Sequence, residues 1–334
     1  MIYKYNNNEL LKKGYLDVEI DPVINLKHEI MRLKEEKKAV ILAHYYQDGD
    51  IQDLADFVGD SLNLSQRAAE TDAEIIMFCG VHFMAETAKI LSPEKKVLLP
   101  DLNAGCSLAE SCKVEDFEKF LKAYPDHTVV SYVNTSIGIK ALSDIICTSS
   151  NAVQIINSLP REEKVIFAPD KNLGNYIEDI TGRPMLIWNG ACHVHEAFSL
   201  ERILEIKRIK PESRIIAHPE CSKPVLIVAD YIGSTAALLK YVKSDPGICY
   251  IVATESGILH QMRKACPEKE FIAAPPKDSS CGCMDCSFMK MNTVKKIYTA
   301  LLYEKPDIQV EEELRVKAER PIRRMLEISA KLGL

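Results

Sequence analysis

The segments Ile41-Leu42-Ala43-His44 and Ala55-Asp56-Phe57-Val58-Gly59-Asp60-Ser61 each return, in closely similar form, later in this chain of 334 residues. The first returns as Ile215-Ile216-Ala217-His218, and the second returns as Ala229-Asp230-Tyr231-Ile232-Gly233-Ser234-Thr235. Both are displaced by the same distance, since 218 − 44 and 229 − 55 both give 174 residues. A fixed displacement of this kind is typical of a chain built from structural repeats.

A weaker middle copy lies between these two. Tyr132 ends another β-rich run there, and Asp144 takes the position of Asp56. Ser149 takes the position of Ser61. In every copy, 17 residues separate the end of the first apolar run from the hydroxyl residue (61 − 44, 149 − 132 and 235 − 218). The sequence therefore contains three copies of one unit.

Each copy also contains three short β-branched runs with helical stretches between them. The predicted strands are 39–45, 74–79 and 96–100 in copy one, 128–133, 164–168 and 184–188 in copy two, and 214–217, 248–253 and 270–274 in copy three. Continuous apolar runs that alternate with helices indicate parallel strands covered on both faces. We therefore expect an α/β fold of three similar three-layer α/β/α domains with parallel sheets, arranged around a pseudo-threefold axis.

The repeat also predicts the domain boundaries. We expect an N-terminal extension over 1–25, followed by α/β domains over 26–108, 109–194 and 195–292. The residues after Asn292 form charged amphipathic patterns that Pro306 and Pro321 interrupt. This pattern predicts helices over 293–334 that pack back on domain 1.

The composition excludes several classes of protein. Charged residues make up 27% of the chain, the formal net charge is −6, and no basic cluster suggests a nucleic-acid or membrane-surface partner. The first residues lack the apolar core of a signal peptide, and no run approaches the roughly 18 apolar residues of a membrane span. We therefore expect a cytoplasmic protein. Its 11 cysteines are many for a reducing compartment, which suggests that some of them bind a metal.

A small-residue loop with cysteine follows the third predicted strand of each copy. The loops contain Cys106 in copy one, Cys192 in copy two, and Cys281, Cys283 and Cys286 in copy three. Ligands of parallel α/β sheets collect beyond the carboxyl ends of the strands, so one cysteine from each loop could reach a single centre. Three thiolates suit either zinc with an open position or an iron-sulfur cluster with one iron lacking a protein ligand. Spacing alone leaves the choice among the three cysteines of the last loop open.

Polar residues mark the ends of the first strands. His44, Tyr132 and His218 end these strands, and each has a polar residue two positions later: Tyr46, Asn134 and Glu220. Ser61, Ser149 and the pair Ser234-Thr235 precede helical segments. These hydroxyl groups could cap helices. They could equally mark helix N-termini that bind the carboxylates and phosphate of a substrate.

Several motifs together identify a family. They are Ala43-His44-Tyr45-Tyr46-Gln47, Ala55 to Ser61, Asn103-Ala104-Gly105-Cys106, Tyr132-Val133-Asn134, His218-Pro219-Glu220, Gly233-Ser234-Thr235 and Cys286-Ser287-Phe288-Met289-Lys290-Met291-Asn292. From about residue 37 to the tail they resemble the quinolinate synthase family. The resemblance implies a 4Fe-4S cluster held by one cysteine per domain. It also implies the condensation of iminosuccinate with dihydroxyacetone phosphate to quinolinate, phosphate and water in de novo NAD synthesis.

Carried over residue by residue, the resemblance implies a specific site. The cluster ligands are Cys106, Cys192 and Cys286, which leaves Cys281 and Cys283 as extra cysteines. The implied catalytic residues are His44, Tyr46, Tyr132 and Glu220. The implied substrate-binding residues are His44, Ser61, Tyr132, Val133, Asn134, Ser149, His195, His218, Pro219, Glu220, Ser234 and Thr235.

The resemblance further implies a functional link to L-aspartate oxidase or aspartate dehydrogenase, with no nucleic-acid or membrane partner. Two other classes stay open from the residues alone. A zinc-dependent lyase or hydrolase could use the same three cysteines, and a non-enzymatic iron-sulfur sensor could hold the same cluster.

Overall fold

The computed structural model describes residues 7–277 and 285–334 of the chain. Within these residues the chain forms three parallel four-stranded sheets, which confirms the predicted α/β class. The spatial order is the same in each sheet. With the four strands numbered along the chain, the order across the sheet is second, first, third, fourth. The arrangement of the three sheets around an axis stays a prediction.

The strands are short and evenly distributed. Sheet 1 contains β1 (Ala39–His44), β2 (Phe57–Gly59), β3 (Ile75–Cys79) and β4 (Lys96–Leu98). Sheet 2 contains β5 (His127–Tyr132), β6 (Ile145–Cys147), β7 (Lys164–Ala168) and β8 (Met185–Ile187). Sheet 3 contains β9 (Arg214–Ala217), β10 (Tyr231–Ile232), β11 (Cys249–Ala253) and β12 (Glu270–Ala273).

Helices connect the strands within and between the sheets, and further helices precede the first strand and follow the last one. They are α1 (Asn7–Lys13), α2 (Leu26–Glu36), α3 (Gly49–Gln52), α4 (Ser61–Glu70), α5 (His82–Leu91), α6 (Ser107–Glu110), α7 (Val114–Ala123), α8 (Ile137–Ala141), α9 (Ala152–Ser158), α10 (Lys171–Thr181), α11 (His193–Glu196), α12 (Leu200–Ile209), α13 (Lys223–Ile227), α14 (Thr235–Ser244), α15 (Ile258–Ala265), α16 (Val294–Tyr303) and α17 (Glu312–Lys331). A 3₁₀ helix, Met289–Met291, precedes α16.

The nine predicted strands are present, and one more strand in each sheet was missing from the prediction. The additional strands β2, β6 and β10 pair in parallel with the first strand of their sheets, at the sheet edge. They have only two or three residues, as in Phe57–Gly59 and Tyr231–Ile232. An apolar run this short gives no clear periodicity, so the sequence pattern did not indicate a strand.

One aspartate in each repeat braces the first strand. Its carboxylate accepts the backbone N–H of the residue 15 positions earlier, at 2.7–2.8 Å in all three copies. The donor–acceptor pairs are Ile41–Asp56, Val129–Asp144 and Ile215–Asp230. The repeated aspartate detected in the sequence is therefore a structural residue that fixes the chain beside the start of each second strand.

The described chain divides into two compact units. Unit 1 comprises residues up to Cys106 together with 287–312, and it contains sheet 1. Unit 2 comprises 107–286 together with 313–334, and it contains sheets 2 and 3. The boundaries of the three smaller domains expected from the repeat stay a prediction.

The C-terminal helices contribute to both units. In unit 1, Ile297 and Leu301 of α16 join Ile30 and Leu33 of α2 in one buried core with sheet 1. In unit 2, the Asn151 amide donates to the Ser329 hydroxyl of α17 at 2.9 Å. No helix in the described ranges combines the length and the apolar character needed to cross a bilayer.

Candidate functional site

The largest group of predicted site residues in unit 2 surrounds Glu220, just beyond the carboxyl end of β9. The Glu220 side chain is only 3% exposed, and its Oε2 lies 2.9 Å from His195 Nδ1. The Tyr132 hydroxyl, at the end of β5, donates a hydrogen bond to the same carboxylate. Residues from two different sheets therefore meet at one buried carboxylate.

The charge state of Glu220 follows from these neighbours. Burial alone would raise its pKa, but the ion pair and hydrogen bond with His195 oppose that effect. With the further contributions of His218 and Tyr132, the pKa of Glu220 falls to about 2. Glu220 is therefore ionised at neutral pH and can accept a proton.

His218 connects Glu220 to the middle repeat. Its Nδ1 accepts the backbone N–H of Glu220 at 3.3 Å, and its Nε2 lies 3.1 Å from Ser149 Oγ. Complete burial lowers the pKa of His218 to about 3, so the imidazole is neutral at pH 7. The neighbouring Ser150 hydroxyl donates to Ser234 Oγ at 2.8 Å. The hydroxyl positions of copies two and three are thus adjacent in unit 2.

His195 lies between Glu220 and a predicted ligand cysteine. Its Nδ1 is 3.2 Å from Cys192 Sγ, and its Nε2 is 3.0 Å from Thr254 Oγ1. The ligand atoms of Cys192, His195 and Glu220 all lie within 4.8 Å of one another. Such a thiolate, imidazole and carboxylate set is a donor group that could hold a metal ion.

The remaining predicted substrate residues of unit 2 surround this group. Val133 and Pro219 are buried beside Tyr132 and Glu220. The Asn134 Oδ1 atom is buried and has no hydrogen-bond partner. Buried polar atoms are nearly always satisfied, so an unsatisfied one at a candidate site is consistent with a missing ligand.

The structure changes the interpretation of the hydroxyl residues as helix caps. Helix α4 is capped by Asp60, whose carboxylate accepts the Asn63 N–H, and Ser61 is the first residue of the helix. Asn151 occupies the capping position of α9. Only Ser234 caps its helix, by accepting the Ala237 N–H at 3.3 Å. The capping interpretation is therefore wrong for Ser61 and Ser149, because another residue occupies the capping position, and it is confirmed for the pair Ser234-Thr235, in which Ser234 is the cap.

In unit 1, His44 and Tyr46 form a smaller polar site at the end of β1. The Tyr46 N–H donates to His44 Nδ1 at 3.2 Å, and the two rings meet edge to face with centroids 4.4 Å apart. The Lys290 ammonium donates to the Tyr46 carbonyl at 2.9 Å. Gln47 donates to the Met289 carbonyl at the same distance, 2.9 Å. The motif at 289–292 therefore anchors the loop that carries Tyr46.

The described cysteines divide into two classes. Three are partly exposed, and they are the three predicted ligands, Cys106, Cys192 and Cys286. The other six described cysteines are buried, namely Cys79, Cys112, Cys147, Cys221, Cys249 and Cys266. Burial raises the pKa of the Cys79 and Cys147 thiols, which suits inert core residues. Cys281 and Cys283 lie outside the described residues.

Hydrogen bonds and core packing support the loops that carry the three predicted ligands. In unit 1, the His82 N–H donates to the Ala104 carbonyl in the loop of Cys106. In unit 2, Cys192 and Cys286 pack against the same buried core cluster. Ser107 Oγ lies 2.6 Å from His193 Nδ1, and these two residues directly follow Cys106 and Cys192 in the sequence.

Sequence reasoning missed three buried residues near Glu220. Thr254 contacts His195 as described, and the Asn172 amide donates to the Glu220 carbonyl at 3.1 Å. Asp170 is fully buried, and burial together with the Glu220 charge raises its pKa well above the ordinary value. The repeat offered a signal for Asp170. It lies two residues after β7, the third strand of copy two, and the buried Glu255 lies two residues after β11, the third strand of copy three.

A cavity of about 750 Å³ in unit 1 lies away from these residues. Its lining includes Lys38, Glu74 and Lys96, which flank the amino ends of β1, β3 and β4. His44 ends β1 at the opposite edge of the sheet. Ligands of parallel sheets collect at carboxyl ends, so this cavity is not the candidate site.

Comparison with known proteins gives a consistent result. A family model described as "Quinolinate synthetase A protein" matches residues 28–327. The "Quinolinate synthase" of Microcystis aeruginosa is 59% identical over 300 residues, covering 90% of this chain and 94% of that protein. The "Quinolinate synthase" of Cyanophora paradoxa is 55% identical over 304 residues, covering 91% of this chain and 92% of that protein.

Proposed function

The chain belongs to the quinolinate synthetase A family, as its motifs predicted, and on that premise we propose the reaction that it catalyses. It condenses iminosuccinate with dihydroxyacetone phosphate to quinolinate, phosphate and water in de novo NAD synthesis. The observation that carries this proposal is the buried, ionised Glu220, held between the Tyr132 hydroxyl and His195. A reaction that moves several protons requires such a group at its centre.

The cofactor of this reaction is a 4Fe-4S cluster with Cys106, Cys192 and Cys286 as ligands. The exposure of the cysteines supports this choice, because these three are the partly exposed ones among the described residues. The common core against which Cys192 and Cys286 pack supports it further. The Ser107–His193 contact links the residues that follow Cys106 and Cys192. Three ligands leave one iron open, and when bound the cluster supplies a Lewis acid that promotes loss of a substrate oxygen as water.

The chain's own residues bind the substrates and move the protons. Glu220 accepts a proton, and the Tyr132 hydroxyl beside it donates one. An anionic substrate brings like charge close to Glu220, which raises its pKa toward the range that suits proton transfer. We assign the same proton-carrying role to His44 and Tyr46, which form a polar pair at the end of β1.

The substrate's carboxylates and phosphate bind at helix N-termini and hydroxyl groups. Ser61 and Thr235 are the first residues of α4 and α14, where backbone N–H groups attract anions. Ser149 and Ser234 contribute hydroxyl groups in unit 2. Asn134 offers a buried amide whose Oδ1 lacks a partner within the described chain. His195 and His218, with Val133 and Pro219, complete the substrate-binding set.

We also propose a cytoplasmic location and a functional link to the enzyme that supplies iminosuccinate, L-aspartate oxidase or aspartate dehydrogenase. The nine described cysteines are all free thiols, which is the state that a reducing compartment favours.

Single alanine substitutions of the three ligand cysteines test the cofactor assignment. Cys106→Ala, Cys192→Ala and Cys286→Ala should each remove the cluster's visible absorbance and quinolinate formation after anaerobic purification. Cys266→Ala is the matched control, because this cysteine is buried at the end of α15 and should keep both. Full clusters in all three ligand variants would refute the assignment. Zinc in place of iron and sulfide in a wild-type preparation that forms quinolinate would instead indicate a zinc enzyme.

A further inference from the structure

Cys192, His195 and Glu220 form a compact donor set that differs from the proposed cluster ligands. One atom, His195 Nδ1, lies 3.2 Å from Cys192 Sγ and 2.9 Å from Glu220 Oε2. All three ligand atoms lie within 4.8 Å of one another. His195 and Glu220 are each only 3% exposed in their side chains, whereas Cys192 is partly exposed. The set is therefore preformed, shielded and reachable from the side of Cys192.

The surroundings of the set resemble those of a metal site in a second respect. Metal-binding histidines usually donate their other ring N–H to an oxygen, which fixes the ring orientation. His195 Nε2 lies 3.0 Å from Thr254 Oγ1. The Tyr132 hydroxyl likewise donates to the Glu220 carboxylate. His195 and Glu220 thus each have a further hydrogen-bond partner that would hold the side chain in position.

We propose that the cluster-free protein binds a single divalent zinc ion through Cys192 Sγ, His195 Nδ1 and Glu220 Oε2, with water in the fourth position. One thiolate, one carboxylate and one neutral imidazole balance the double positive charge of the ion. Zinc bonds of about 2.0–2.3 Å require ligand atoms about 3.3–3.7 Å apart in a tetrahedron. To reach this geometry the two contacts of His195 Nδ1 lengthen by about half an ångström, and the separation of Cys192 Sγ from the Glu220 carboxylate, which is within 4.8 Å, becomes about 3.5 Å.

The hydrogen bonding can adapt to the ion. Without metal, His195 Nδ1 lies 2.9 Å from Glu220 Oε2, which favours a proton on Nδ1, and Nε2 lies 3.0 Å from Thr254 Oγ1. When Nδ1 binds zinc, the ring proton resides on Nε2, and the Thr254 hydroxyl becomes its acceptor. The thiol proton of Cys192 is released to solvent as the thiolate binds.

Zinc and the cluster exclude each other at this site because both need Cys192. Zinc would also occupy Glu220, the proton acceptor of the reaction. This consequence rests on the proposed function, whereas the zinc site itself rests only on the geometry of the three side chains. A cluster-free chain that has bound zinc would therefore be inactive and resistant to cluster insertion.

Cobalt(II) absorption tests the site directly, because cobalt replaces zinc and reports thiolate ligands by charge-transfer absorption. Full-length protein is freed of its cluster anaerobically, freed of chelator, and titrated with CoCl₂. We expect one cobalt per chain with thiolate charge transfer and tetrahedral visible bands, and displacement by one equivalent of ZnCl₂. Protein that retains its cluster should bind no cobalt at this position.

Four variants test whether Cys192 and His195 are ligands and whether Cys106 is not. Cys192→Ala should abolish the charge-transfer band, and His195→Ala should weaken cobalt binding more than 100-fold. Thr254→Val, which keeps the fold and all three ligands, should weaken it about 10–100-fold. Cys106→Ala is the matched control: it should lose the cluster yet bind cobalt as the wild type does. Unchanged binding in His195→Ala, or binding lost in Cys106→Ala, would overturn the proposal. The second result would place the ion on the three cysteines.

Discussion

The end of β1 in unit 1 and the end of β9 in unit 2 share one hydrogen bond to the backbone, but they present different side chains. In both, a histidine at the strand end accepts the N–H of the residue two positions later, at 3.2 Å for His44 and 3.3 Å for His218. In unit 1 that later residue is Tyr46, which contacts His44 edge to face. In unit 2 it is Glu220, which pairs with His195 of helix α11.

This comparison shows what the repeat preserves. The histidine contact and the bracing aspartate, Asp56 or Asp230, recur because they hold the backbone in the same path. The residue presented by that backbone is free to change, from a phenol to a carboxylate. The repeat therefore supplies equivalent positions, and each copy places a different chemical group there.

The largest expected effect is a loss of turnover when Glu220 or Tyr46 is changed. Glu220→Gln should keep the cluster and lower turnover by about 10²–10⁴-fold, the usual contribution of a positioned acid or base. Tyr46→Phe removes a proton carrier without removing a charge, and turnover should fall in the same range. Anaerobic quinolinate assays, with iron and sulfide measured on the same samples, check both. A variant with a full cluster and near-normal turnover would remove its residue from the mechanism.

A smaller effect should follow from removing the bracing aspartates. Asp56 also binds the Lys34 ammonium at 2.5 Å, and the Lys34 side chain is only 10% exposed. Asp56→Ala should therefore cost about 2–4 kcal/mol, because it leaves a strand N–H and a nearly buried ammonium without this partner. Asp230→Ala, which removes the acceptor of one backbone N–H, should cost about 1–2 kcal/mol.

Urea unfolding of the cluster-free proteins measures the two costs. Asp56→Asn and Asp230→Asn are the controls, since an amide oxygen can still accept the strand N–H. If Asp56→Ala and Asp230→Ala shifted the unfolding midpoint equally, the additional role of Lys34 would be refuted.

The smallest expected effect concerns acid stability. Asp245 ends α14, and the matching end of α4 in copy one carries Thr71 (245 − 71 = 174). Burial would raise the pKa of Asp245, but hydrogen bonds from Tyr250 and Gly247, with the nearby Arg214, lower it overall. A lowered carboxyl pKa stabilises the fold above the unfolded value and loses that contribution as pH falls through the folded value.

Asp245→Asn should therefore make the stability of the fold depend less on pH in acid. Below about pH 4, the ordinary pKa of an aspartate, the wild type should lose more stability than this variant, as followed by thermal unfolding of cluster-free protein. Identical pH dependence in the two proteins would show that Asp245 gains no net stabilisation from its partners.

The sequence predicted the architecture because repeated positions carry repeated backbone roles. The parallel strands followed from continuous apolar runs, whereas the three cluster ligands stay a prediction from cysteines in equivalent loops. The edge strands did not, since Tyr231–Ile232 is too short to show a period. The caps of α4 and α9 were also missed, because Asp60 directly precedes Ser61 and Asn151 lies two residues after Ser149, and residues of all these types can cap a helix.

The site was harder to predict than the fold. His195 and Glu220 are 25 residues apart, and no spacing rule indicates that their side chains meet at 2.9 Å. Thr254 and Asp170 lie at strand ends where many residues are structural, so their burial beside the site could be recognised only in three dimensions.

The most direct test of the account is an anaerobic assay of the wild-type protein with iminosuccinate and dihydroxyacetone phosphate. The preparation is analysed for iron and sulfide, and quinolinate is quantified with both substrates and with each omitted. We expect a 4Fe-4S cluster in the preparation, and we expect quinolinate only when both substrates are present. A full cluster with no quinolinate formed from the two substrates would contradict the proposed reaction.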